Sequence, residues 1–250
     1  ASTQAIGEAS MMIRSGQADV MIAGGAHSMI HPLGQMGFNR LTALSTRNDD
    51  PQTASRPFSA TRDGFVLGEG AAVLILESLE SAKKRGAKVL AEIVGYGSTA
   101  DAFRVTDMHE DARGAQAAIR AALADAGVGC EDIDYISTHG TSTAENDSIE
   151  TKAVKGVFGD YAKNVPLSSI KSMMGHLIGA TGAAETISCV MAFRENTIPP
   201  TMNLHDADPE LDLDYVPNEP RKAELNYIIK ESFGFGGQNN VLVLKRYEDD

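Results

Sequence analysis

Two histidine motifs and a glycine-rich turn carry the residues most capable of chemistry. The first motif is Thr-His-Gly-Thr-Ser-Thr at 138–143, the second is Lys-Ser-Met-Met-Gly-His at 171–176, and the turn is Phe-Gly-Phe-Gly-Gly at 233–237. A lysine such as Lys171 beside an imidazole disfavours the protonated ring by like-charge repulsion. Neutral His139 and His176 can then each donate one N–H to a carbonyl oxygen that gains charge as an enolate forms. The pattern indicates decarboxylative carbon–carbon bond formation at a thioester, although either histidine taken alone is more typical of a structural role.

Three acidic residues accompany these motifs. Asp147 and Glu150 have the spacing of a capping box at a helix start, and the alternative is that they hold Lys171 and the histidines in place. Glu185 lies in a helix of small residues, where a buried carboxylate needs a partner. Lys171, a water cluster or a structural monovalent cation are the candidate partners.

The glycine turn and the two cysteines have competing interpretations. The turn is either a plain connection between strands or a backbone N–H aimed at an oxyanion, with Phe235 as a movable gate. Cys189 is expected to pack in an apolar helix rather than act as a nucleophile, and Cys130 has no neighbour that would lower its pKa. The cysteines therefore predict neither a disulfide framework nor a metal cluster.

Alternating helix and strand patterns predict an α/β fold. Helices are expected at 5–15, 112–126, 147–158 and 178–194, with a short one ending at 84, and strands at 19–23, 71–76, 89–94, 133–137, 165–169, 227–229 and 241–245. The strand at 19–23 is expected to be buried. Residues 83–86 form a plausible join between two halves, 1–87 and 88–250. Both histidine motifs follow strands, where ligands of open α/β sheets tend to bind.

Composition narrows the class of partner. The 250 residues have a formal net charge of −12 and a pI of about 4.9, which argues against nucleic acid or an anionic membrane. The apolar run at 71–76 is too short to cross a bilayer. Two cysteines fit a reducing compartment, either the cytoplasm or a plastid or mitochondrial interior.

The motifs together resemble the β-ketoacyl-[acyl-carrier-protein] synthases of the thiolase superfamily, and most closely the elongation enzymes of type II fatty acid synthesis. Besides the histidine motifs and the glycine turn, the resemblance includes Gly-Gly-Ala at 24–26, Pro-Leu-Gly at 32–34, Leu-Ser-Thr-Arg-Asn-Asp at 44–49, Arg-Asp-Gly-Phe-Val-Leu-Gly-Glu-Gly at 62–70 and Ile-Pro-Pro-Thr at 198–201. Their order and spacing span essentially the whole chain.

The resemblance implies a thiolase-like αβαβα sandwich of two halves, of which 1–87 would be the remainder of the first and 88–250 the complete second. It places the family's nucleophilic cysteine two positions before Ala1. The chain is therefore expected to be the C-terminal portion of a synthase, incomplete as a condensing enzyme. Packing against the missing N-terminal segment and a homodimer are also expected.

The resemblance also implies the site residues and the partner. His139 and His176 would serve decarboxylation and condensation, with Lys171 supporting them and no cofactor or metal required. The remaining implied roles concern the substrate: Phe235 and Phe233 at the oxyanion hole and gate, and Phe38, Phe65, Thr106 and Thr141 in substrate binding. Acyl carrier protein would be the partner, and Arg40 stands nearest to the basic position at Thr42 that often contacts it.

Three other functions fit less well. A thiolase would need a second cysteine near the glycine turn. A polyketide ketosynthase is closer, but Thr138 and Met173 stand where such domains usually have other residues. A non-catalytic chain-length-factor-like subunit commonly loses the histidines that this chain retains.

Overall fold

A computed structural model of the chain describes residues 1–248. Helices are α1 (Ser2–Arg14), α2 (Pro32–Arg40), α3 (Leu79–Lys84), α4 (Arg113–Ala126), α5 (Ala144–Phe158), α6 (Lys171–Met174) and α7 (Thr181–Glu195). Strands are β1 (Val20–His27), β2 (Gly70–Glu77), β3 (Glu92–Ala100), β4 (Tyr135–Ser137), β5 (Leu167–Ser168), β6 (Thr197–Ile198), β7 (Arg221–Lys222), β8 (Tyr227–Gly234) and β9 (Gln238–Lys245). The predicted α/β alternation is confirmed. The elements α2, α6, β6 and β7 were not predicted, and the boundaries of the others differ by up to six residues.

The main sheet has five strands in the order β3-β9-β8-β4-β5. Strand β4 runs parallel to β5 and β8, whereas β9 is antiparallel to β3 and β8. A second sheet pairs β1 with β2 antiparallel. The parallel pairs bring the carboxyl ends of β4, β5 and β8 to one edge, and the functional side chains follow those ends.

Helices α4 and α5 cover one face of the five-stranded sheet, and α1 with α7 lie between its other face and the two-stranded sheet. Gly97 of β3 allows the close approach of α4, because a Cβ there would lie 2.0 Å from the carbonyl oxygen of Ala118. Gly127, at φ +69°, ends α4 as the sequence predicts. The described residues thus form four stacked layers in the order helix, sheet, helix, sheet.

The strand predicted as buried near 19–23 is only half covered. In the longer β1 of the structure, Ile22 is 74% exposed, and on the paired strand Ile75 is 68% exposed. The other face of the pair, including Ala23, packs against α1 and α7. The expectation of a buried strand was wrong because, within residues 1–248, helices cover a single side of this sheet.

Candidate active site

Two parallel strands deliver the first imidazole and the lysine. His139 comes two residues after β4, and Lys171 opens α6 shortly after β5, with both side chains buried. Gly175, at φ +73°, then turns the chain so that His176 faces His139. The two ring centroids are 5.4 Å apart with the planes at 83°. The geometry therefore brings together the three residues that the motifs singled out.

Hydrogen bonds define the tautomer of each ring. Lys171 Nζ lies 3.3 Å from His139 Nδ1 and also donates to the His139 carbonyl oxygen. The backbone N–H of Ile178 donates to His176 Nδ1 at 3.2 Å. Since Nδ1 accepts in both rings, a neutral imidazole carries its hydrogen on Nε2. Each ring can then offer one Nε2–H donor.

The environment keeps both rings neutral. Burial, followed by the positive charge of Lys171, lowers the pKa of His139 and of His176 well below the usual value near 6.5. A neutral imidazole binds the oxygen of a forming enolate as a donor without giving up a proton.

Glu185 is the carboxylate that holds Lys171. It is fully buried, and its Oε1 lies 2.5 Å from Lys171 Nζ. Its Oε2 lies 2.9 Å from the ammonium of Lys230, a buried lysine of β8 that the sequence analysis did not single out. A lysine within the apolar strand Ile228-Ile229-Lys230 was the available signal, because a buried charge requires a partner.

The acids of α5 act on the backbone. Glu150 accepts from the N–H of His139 at 2.5 Å and from that of Gly140 at 2.7 Å, so it fixes the turn that carries the imidazole. Asp147 accepts from the N–H groups of Phe58 and Ser142. The capping-box interpretation was wrong, because the N-cap of α5, Thr143, has no side-chain cap and these acids bind N–H groups of Phe58 and of the loop that leads into the helix.

Neither acid of α5 contacts Lys171, which Glu185 holds instead. Burial raises the pKa of Glu150 to about 7. Glu231 is a second buried acid beside it, and burial and the charge of Glu150 raise the pKa of Glu231 well above 4.5. Neither oxygen of the Glu231 carboxyl has a hydrogen-bond partner among the described residues, so nothing there favours its charged form. Glu231 was also missed by the sequence analysis.

A cleft of about 680 Å³ opens above the two imidazoles. The substrate-binding and gate residues predicted from the sequence all line it: Phe38, Phe65, Thr106, Thr141, Phe233 and Phe235. The Phe65 ring packs edge-on to His176 at 5.1 Å between centroids and to Phe38 at 5.4 Å. Phe235 is 49% exposed at the mouth. The next residue, Gly236, donates its N–H to the carbonyl oxygen of Val105, which ties the glycine turn to the loop before α4.

Neither cysteine provides a thiolate to the cleft. Burial raises the pKa of Cys189 to about 12, and this side chain packs between α7 and the main sheet. Burial also raises the pKa of Cys130, whose sulfhydryl donates to the Val157 carbonyl. Among residues 1–248, no three His, Cys, Asp or Glu side chains are grouped to hold a metal ion, and no helix is long and apolar enough to cross a membrane.

Comparison with known protein families identifies the family of this chain. The beta-ketoacyl synthase N-terminal domain matches residues 1–82, and the C-terminal domain of the same family matches residues 90–205. The chain belongs to the β-ketoacyl synthase family. The family predicted from the motifs is therefore confirmed.

Curated relatives carry a more specific name. Proteins named 3-oxoacyl-[acyl-carrier-protein] synthase 2 from Coxiella burnetii and Synechocystis are each 50% identical to this chain, over 98% and 99% of it. That of Staphylococcus aureus is 48% identical over 98% of the chain. The chain spans about three fifths of the length of these relatives, 59–60% in each case.

Solved structures confirm the thiolase-like ketosynthase fold. A type II polyketide ketosynthase, in complex with its acyl-carrier protein and bound to the hexaketide, superposes with a TM-score of 0.96 at 40% identity, over 99% of this chain and 61% of that one. A β-ketoacyl synthase from Burkholderia phymatum superposes with a TM-score of 0.92 at 40% identity, over 99% and 59%.

Proposed function

We propose that this chain carries the decarboxylation and condensation machinery of a 3-oxoacyl-[acyl-carrier-protein] synthase that elongates fatty acids. The carrying observation is the pair of neutral imidazoles, 5.4 Å apart, in one cleft. A malonyl thioester bound there loses carbon dioxide, and the electrons of the broken C–C bond form an enolate. The Nε2–H groups of His139 and His176 stabilise the enolate oxygen.

The enolate carbon then attacks the carbonyl of an acyl thioester on the family's nucleophilic cysteine. The new C–C bond forms as the C–S bond breaks, and the thiolate leaves. By the resemblance, this thiol belongs two positions before Ala1, and the backbone N–H of Phe235 joins its oxyanion hole. The raised pKa values of Cys130 and Cys189 support the inference that neither replaces it.

The cleft lining supports the substrate assignments. Phe38 and Phe65 offer an apolar wall to the acyl chain, and Phe233 packs beside His139 below the Phe235 gate. Thr106 and Thr141 offer hydroxyls to the phosphopantetheine arm that carries the substrate. Acyl carrier protein is the proposed partner, with exposed Arg40 near the mouth as a basic contact on an otherwise acidic chain.

In this proposal, the ammonium groups of two lysines balance the charge of Glu185 in place of a structural monovalent cation. Both carboxylate oxygens already lie against ammonium groups, those of Lys171 and Lys230. We also propose a homodimer in the cytoplasm, or in a plastid or mitochondrial interior, and a division of the chain into halves 1–87 and 88–250.

The test measures two partial reactions with radiolabelled malonyl- and acyl-carrier protein. In the full-length protein that contains these residues, His139→Ala should lower decarboxylation and condensation by about 10²-fold or more while leaving acylation of the cysteine largely intact. His205→Ala, the same change at an exposed histidine outside the cleft, is the matched control. Equal loss of acylation in His139→Ala would show that the roles are wrong. Residues 1–250 purified alone should not form the 3-oxoacyl product.

Polyketide synthesis is the second candidate, favoured by the superposition on a polyketide ketosynthase. Product analysis separates the two, since a fatty acid synthase adds one two-carbon unit before the 3-oxo group is reduced. Accumulation of multiply extended poly-3-oxo products by the full-length protein would favour the polyketide function instead.

A further inference from the structure

Lys230 is a second buried lysine at the base of the imidazole pair. It lies in β8, two residues before Ser232, which lines the cleft, and its side chain is 0% exposed. Successive strand residues point to opposite faces, so Lys230 faces Glu185 while Glu231 faces Glu150. Two adjacent residues therefore reach the two carboxylates that hold the catalytic lysine and the His139 turn.

Three oxygen atoms surround the Lys230 ammonium, which carries three N–H donors. Glu185 Oε2 of α7 lies at 2.9 Å, Thr3 Oγ1 of α1 at 2.7 Å, and Ser232 Oγ is also within hydrogen-bond distance. The Thr3 and Ser232 hydroxyls are themselves 2.8 Å apart. Lys230 thus joins α1, α7 and β8 at one buried point.

Charge counting gives this junction an electrostatic role. One carboxylate, Glu185, lies between two ammonium groups, so the cluster has an excess of one positive charge when both lysines are protonated. Burial and Lys171 contribute most to lowering the pKa of each imidazole, and Lys230 acts in the same direction on both. The charged or titratable groups that face the rings are Lys171, Lys230, Glu185, Glu150 and His27.

We propose that Lys230 is a positioning residue that holds Glu185 and α1 in place and keeps His139 and His176 in their neutral, N–H-donating form. Its importance for the reaction rests on the proposed function. Its effect on the imidazoles does not, because ring protonation is measurable without any substrate.

The experiment follows the imidazole carbon signals by NMR during a pH titration of the ¹³C-histidine-labelled full-length protein that contains these residues, assigned with His139→Ala and His176→Ala. Lys230→Met removes the charge and the donors, whereas Lys230→Gln removes the charge and keeps an amide that donates to the Thr3 or Ser232 hydroxyls. Both rings should titrate at higher pH in both variants. Lys88→Met, the same change at an exposed lysine, is the matched control and should leave both titrations at the wild-type position.

The double variant Lys230→Met/Glu185→Gln separates charge from packing. It removes one positive and one negative charge, so the excess at the cluster returns to that of the wild type and the titrations should move back towards it. If Lys230 had only a structural role, the imidazole titrations of the double variant would differ from the wild type more than those of Lys230→Met. Unchanged or lower titration of both rings in folded Lys230→Gln overturns the proposal.

Catalysis is then measured separately in the full-length protein. The acidic limb of malonyl-carrier protein decarboxylation against pH should shift upward in Lys230→Gln. Shifted imidazole titrations in a protein with no decarboxylase activity would count against the proposed function and leave the role of Lys230 standing.

Discussion

Replacing Glu231 by glutamine should stabilise the protein at neutral pH. Glu231 is fully buried beside Glu150, and burial and the neighbouring acid raise its pKa well above the usual 4.5. A folded state that retains a proton which the unfolded chain has released loses stability as pH rises between the two pKa values. Glutamine removes the titration.

The magnitude follows from the linkage relation. Each pH unit above the unfolded value costs roughly 1.4 kcal/mol for one such carboxyl. The penalty on the wild type therefore grows with each pH unit from 4.5 up to the raised folded pKa of Glu231, and Glu231→Gln escapes it. The two cleft imidazoles act with the opposite sign but are present in both proteins, so they cancel in the difference.

The assay is urea unfolding at pH 4.5, 6 and 7.5, comparing wild type, Glu231→Gln and the exposed control Glu224→Gln. Glu231→Gln should gain stability over wild type as pH rises, whereas Glu224→Gln should follow wild type throughout. A difference between Glu231→Gln and wild type that stays constant from pH 4.5 to 7.5 would refute the reasoning.

Three further outcomes follow from the contacts described above. Glu185→Gln leaves two buried ammonium groups without their shared carboxylate. It should therefore lower the free energy of unfolding by about 3 kcal/mol and lower activity as well. Wild-type stability together with wild-type activity in this variant would contradict the prediction. Gly97→Ala places a Cβ about 2.0 Å from the Ala118 carbonyl, so α4 must shift and thermal unfolding should show a loss of about 1–3 kcal/mol. Gly37→Ala, at an exposed glycine where the added Cβ meets open space, controls for side-chain addition at another glycine. Because the cleft imidazoles have lowered pKa values, the unfolded chain binds more protons than the folded protein below pH 6.5, and stability should fall as pH drops through that value. In chemical denaturation, His139→Gln should make this decline less steep. An unaltered slope of stability against pH would argue against a neutral His139 ring.

The catalytic residues of the cleft could be predicted because they lie in short contiguous motifs. His139 and Lys171 each follow a short strand, and residues after the carboxyl ends of parallel neighbours meet at one edge. Aromatic and threonine residues assigned by resemblance also line the cleft, including Phe38 and Thr106. Hydrophobic periodicity was sufficient for the α/β alternation because it depends on neighbours a few residues apart.

The acids show where such reasoning stops. Asp147 and Glu150 have the spacing of a helix cap, yet they accept from N–H groups at Phe58, Ser142 and His139. A carboxylate satisfies whichever donors the fold brings to it, and the capping pattern carries no information about loops packed against the helix. The prediction that β1 is buried failed for a related reason, since a run of apolar residues does not say how many faces of a strand are covered.

By itself, the sequence determined the family, the α/β order and the two histidines with their lysine, because each depends on residues close together in the chain. Only the tertiary structure decided that Lys171 and Lys230, 59 positions apart, share Glu185, and that burial beside Glu150 raises the pKa of Glu231. These pairings join distant segments, and their energetics come from burial. A charge removed from water must find a partner or lose its ionisation, and which of the two occurs depends on what the fold places beside it.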